Sequence, residues 1–71
     1  MKCAVIEYAS GKKSMFRHPD GVASVSVGYE GREFLAKVVC GDGSVKRFHR
    51  INTAYIDDDL ETVCRHAGIP L

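Results

Sequence analysis

Turn signals divide the first two-thirds of this chain at short, regular spacing: Ser10-Gly11, Pro19-Asp20-Gly21, Glu30-Gly31 and Asp42-Gly43. Pro presets the backbone for the first central position of a turn, and Gly takes the positive φ that tight hairpins need. The runs between them are rich in β-branched and aromatic residues, which favours strands over helices. Five strands are expected, at about 2–9, 13–18, 22–29, 32–40 and 44–51. Connections this short leave room only for antiparallel neighbours, so the strands should form a meander.

Side-chain alternation then decides which residues share a face, because a one-residue slip would turn a whole strand over. A two-residue turn at Ser10-Gly11 pairs Tyr8 with Lys13 and Ile6 with Met15. A turn at Glu30-Gly31 pairs Val27 with Phe34 and Val25 with Ala36. One face thereby collects Ala4, Ile6, Tyr8, Met15, Ala23, Val25, Val27, Tyr29, Phe34, Ala36, Val38 and Cys40, the expected core. The fourth turn admits two registers. An Asp42-Gly43 two-residue turn pairs Cys40 with Val45 and Ala36 with His49, leaving Phe48 outward; this is the favoured reading. A three-residue Gly41-Asp42-Gly43 loop shifts the register by one and sends Phe48 inward.

The tail reads as a helix over about 58–67. Asp57, Asp58 and Asp59 offer an N-cap and negative charge at the positive end of the helix dipole. Leu60, Val63, Cys64 and Ala67 form one apolar stripe, Gly68 stands at the C′ position, and Pro70 stops continuation. A helix of this length is marginal alone in water, so it is expected to dock on the apolar side of the sheet. The fold class expected is α+β. It is a single small domain over 1–71, a five-stranded antiparallel meander, open or curled toward a small barrel, with the C-terminal helix packed on one face.

The sheet's other face carries apolar Phe16, Leu35 and Phe48 interleaved with basic Lys37, Lys46 and Arg50. Exposed apolar clusters with a charged rim mark interaction surfaces. These six residues are the candidate partner-binding site, and the partner is a protein, including a second copy of the chain. The alternative is single-stranded nucleic acid, with Phe16 and Phe48 stacking bases while Lys37, Lys46 and Arg50 hold phosphates. A net charge of +1 does not by itself argue for nucleic acid, although residues 1–56 carry nine Lys/Arg against five Asp/Glu.

Other chemistry finds weaker footing. Gly11-Lys12-Lys13-Ser14 resembles the end of a phosphate loop, but the upstream Gly and the following helix are missing. Cys3, Cys40, Cys64 and the three His show no zinc spacing, and Cys40 falls at a core position; no metal or cofactor is expected. Neither a nucleophile–base pair nor paired carboxylates can be argued from spacing, so no enzyme is expected. An odd cysteine count without C-x-x-C points to a reducing compartment. The opening MKCAVIEYA is too short in its apolar run for a signal-peptide core, and no run approaches membrane-spanning length. The cytoplasm is the expected location.

Overall fold

The computed structural model describes residues 1–68, and its packed body is built from strands alone. They are β1 (Lys2–Tyr8), β2 (Lys13–Phe16), β3 (Val22–Glu30), β4 (Glu33–Cys40), β5 (Val45–His49) and β6 (Ile51–Asp58). They form two three-stranded antiparallel sheets, ordered β2-β1-β6 and β3-β4-β5. The α+β meander is therefore corrected to a two-sheet architecture. The chain leaves β6 into a helical stretch, Leu60–Ala67. Leu60, the first residue of its apolar stripe, is 61% exposed, and among the described residues the core cluster is built from strand residues. Pro70 lies outside the described residues. Among the described residues, no helix is long and apolar enough to cross a membrane.

The core sits between the sheets. Ala4 and Ile6 from β1 and Ile51 from β6 meet Val22 from β3 and Ala36 and Val38 from β4. Tyr8, Phe16, Val25, Phe48 and Ala54 close around them. With two sheets face to face, the apolar row of one becomes the cover for the other, and no helix is required.

The sixth strand is the element that sequence patterning hid. Its acidic end was read as a helix cap, yet Asp57 and Asp58 pair with Cys3 and Lys2 across the sheet. The Lys2 ammonium lies 2.8 Å from Asp58 Oδ1, which holds the Asp58 carboxyl below and the Lys2 amine above its ordinary value. What divides the expected strand 44–51 from β6 is a bend at Arg50, whose φ is 56°. A non-glycine residue in this left-handed region carries roughly 1 kcal/mol of strain. Arg50→Gly is therefore expected to leave stability unchanged or raise it by up to about 1 kcal/mol. Urea unfolding checks this; a loss larger than that would mean the arginine side chain itself holds the bend.

Two registers depart from expectation in ways that matter. The first loop is three residues long, closed by Tyr8 N–H to Lys12 O and Gly11 N–H to Tyr8 O at 2.8 and 2.9 Å. Val5 consequently pairs with Met15 and Ala4 with Phe16, so Phe16 turns inward and Met15 outward. At the fourth turn, Cys40 N–H donates to Ser44 O at 2.8 Å around Gly41-Asp42-Gly43. Ala36 faces Phe48, and the less favoured of the two sequence registers is the one adopted. Between β3 and β4 the pairing is Val27 with Ala36 and Val25 with Val38. That differs from expectation by two residues, so each side chain keeps its face.

Candidate functional site

These registers redistribute the six residues expected to form one open surface. Phe16 and Phe48 meet between the sheets, ring centroids 5.5 Å apart and planes at 66°, and pack against the core. Leu35 is buried on the outer side of β4, in a row with Gly28 and His49. Lys37 stands one row along, between Ser26 and Arg47. Lys46 lies opposite Val38 at the edge of the second sheet, exposed, and Arg50 sits at the bend. Only Leu35 and Lys37 share a surface. Both phenylalanines are partly buried against the core, not displayed on an outer face.

The surface that patterning missed lies at the far end of the β3–β4 hairpin. Val27, Tyr29 and Phe34 continue the inward-facing row of Val25, Ala36 and Val38, but the hairpin runs out past the first sheet. They are left 36%, 77% and 37% exposed. Tyr29 and Phe34 stack edge to face, centroids 5.2 Å apart. Two cross-strand pairs brace this arm: Arg47 Nε donates to both Glu30 carboxylate oxygens at 3.0 and 3.2 Å, and His49 Nδ1 lies 2.6 Å from Glu33 Oε1. On the outer side, Gly28, Leu35, Lys37 and Arg47 line a shallow groove.

The backbone edge beside this patch is unusual. Among the described residues, one side of β3 hydrogen-bonds to no strand in the order β3-β4-β5, although β6 of the other sheet lies near it. Natural sheets guard such edges with brevity, charge or proline. Here β2 is four residues long and begins with Lys13, β5 contains Lys46, Arg47 and His49, and β6 ends in Asp57 and Asp58. By contrast β3 runs nine residues as VASVSVGYE, with its first charge at Glu30. The signal was legible in sequence, but only knowledge of which strands are edges gives it meaning.

Two further clusters complete the survey. Arg17 Nε reaches Asp59 Oδ2 at 2.5 Å beside Cys3, and this ion pair holds the Arg17 guanidinium above its ordinary value. Burial, and then the Asp59 charge, push the Cys3 thiol up, which opposes thiolate reactivity there. At the β2–β3 and β4–β5 turns, His18, Cys40 and Asp42 bring one donor atom each to within 4.8 Å of one another. Comparison with protein-family models, with curated proteins and with solved structures finds no match to this chain.

Proposed function

We propose that the chain is a small, non-catalytic interaction module that pairs with a second copy of itself along β3. The observation that carries this reading is the uncovered Val27, Tyr29 and Phe34 at the far end of β3, a long strand uncharged before Glu30 that, among the described residues, hydrogen-bonds only to β4 although β6 approaches it. Strand addition satisfies the free backbone groups and buries the adjacent side chains in one step. An antiparallel β3–β3 contact about a twofold axis is self-complementary, and it keeps both apolar rows on the same side of the joined sheet. A net charge of +1 gives two copies little reason to repel.

Sedimentation equilibrium from about 1 μM to about 1 mM reads the association directly. A monomer–dimer equilibrium is expected, with Val27→Lys and Tyr29→Glu each raising the dissociation constant at least about tenfold while far-ultraviolet circular dichroism stays unchanged. A chain that remains monomeric at the highest concentration, or a dimer indifferent to both substitutions, overturns the reading.

A further inference from the structure

Two glycine-containing turns that are remote in sequence are clasped together at one end of the molecule. The β2–β3 turn is His18-Pro19-Asp20-Gly21, and the β4–β5 turn is Cys40-Gly41-Asp42-Gly43. Gly41 N–H donates to Gly21 O at 2.8 Å, and Gly21 N–H to His18 O at 2.9 Å. The approach is close enough that a Cβ on Gly41 would lie 2.0 Å from Asp20 O. This clasp brings the His18 ring against Asp42, with Nε2 3.4 Å from Oδ2, and both beside the Cys40 thiol.

We propose that His18, Cys40 and Asp42 form a binding site for a borderline divalent cation, zinc above all. The donor set argues for that class. One imidazole, one thiol and one carboxylate suit zinc, whereas magnesium and calcium prefer all-oxygen shells. Three protein donors leave a fourth tetrahedral position for water or an external ligand. The Asp42 carboxylate is already oriented, because its Oδ1 accepts both the Ser44 N–H at 2.9 Å and the Ser44 hydroxyl at 2.6 Å. Its other oxygen is thereby presented to the cluster, as hydrogen bonds to a ligating carboxylate orient it in metal sites. The same Ser44 bonds, chiefly, keep the Asp42 carboxyl below its ordinary value.

Access and rearrangement also follow from the geometry. Cys40 is buried at 1% exposure while the Asp42 side chain is 43% exposed, so an ion enters past the carboxylate and meets the thiol last. Zinc with bonds of about 2.0–2.3 Å sets its donors roughly 3.3–3.7 Å apart, so the turns close by up to about an ångström. The Cys40 proton goes to solvent as the thiolate binds. His18 Nδ1 accepts the Asp20 N–H at 3.1 Å, which places the ring proton on Nε2. Ligation through Nε2 moves that proton to Nδ1 and gives up the Asp20 bond.

Cobalt(II), a spectroscopic substitute for zinc, tests the site with the full chain. Titration should produce a near-ultraviolet thiolate-to-cobalt charge-transfer band at one ion per chain, bleached by added zinc. The band should persist in Cys64→Ala and vanish in Cys40→Ala. Because Cys40 is buried and its removal could disturb the fold, two loop variants carry equal weight. His18→Gln and Asp42→Asn should each weaken cobalt binding at least about thirtyfold with circular dichroism unchanged. No band at any cobalt concentration, a band surviving Cys40→Ala, or one indifferent to both loop variants overturns the assignment.

Discussion

Gly41→Ala is expected to destabilise the protein by about 3 kcal/mol, through a clash between two backbones. The added methyl would stand 2.0 Å from Asp20 O and 2.9 Å from Asp20 C, and neither atom belongs to a flexible side chain. Relief requires the two turns to part, which breaks the Gly41 N–H bond to Gly21 O and separates His18 from Asp42. A domain of 71 residues holds on the order of 4–10 kcal/mol in total. One methyl group at this point therefore removes a large share of its stability. Gly28→Ala is the control, since its Cβ would meet nothing within 4 Å and its φ is not positive. It should be neutral within about 0.5 kcal/mol or slightly stabilising. Equilibrium urea unfolding of both variants reads the contrast, and equal midpoints would mean that the clasp is not formed in solution.

Ile6→Ala is expected to cost about 3–4 kcal/mol, the usual loss for emptying a tightly packed aliphatic site. Ile6 is among the largest fully buried side chains, at 1% exposure, and touches the core from the middle strand of the first sheet. The informative partner is Met15→Ala. A two-residue first turn would have placed Met15 across from Ile6 on the core face. In the structure Ile6 faces Ser14, and Met15 is 44% exposed on the other side. Met15→Ala should therefore cost under about 1 kcal/mol. Comparable losses for the two variants in urea unfolding would show that β2 sits in the register turned by one residue.

How far patterning reached depended on the range of the interaction involved. Along β3 and β4, Val25, Val27, Phe34, Ala36 and Val38 were read onto one face, and they share it. The pairing itself was two residues out, which alternation cannot detect because a two-residue slip preserves every face. At the first and fourth turns the slip was one residue, and that turned Phe16 and Phe48 over. A glycine states that a turn occurs, but whether it closes after two residues or three depends on what the flanking strands gain by packing. Here the gain is the Phe16–Phe48 contact that joins the two sheets.

The six expected surface residues lie apart for the same reason, since bringing them together needs one sheet with an inner and an outer side. The patch at Val27, Tyr29 and Phe34 is apolar in any reading of the sequence. Its exposure follows from the hairpin outrunning the sheet opposite. His18 shows no ligand spacing to Cys40 and Asp42 because it belongs to a different turn, which the contact between Gly21 and Gly41 brings against theirs.

By itself the sequence determined the strand-and-turn alternation and which side chains of β3 and β4 share a face. Those properties depend on side-chain alternation and on local backbone preferences at glycine and proline. Tertiary structure alone decided that the strands divide into two sheets, that β6 joins β1 where a helix cap is expected, and that Leu60 stands exposed. Each of these choices is a competition for the same buried area between segments far apart in the chain. A facing sheet wins it over a short helix because it brings a matching row of apolar residues together with its own backbone hydrogen bonds.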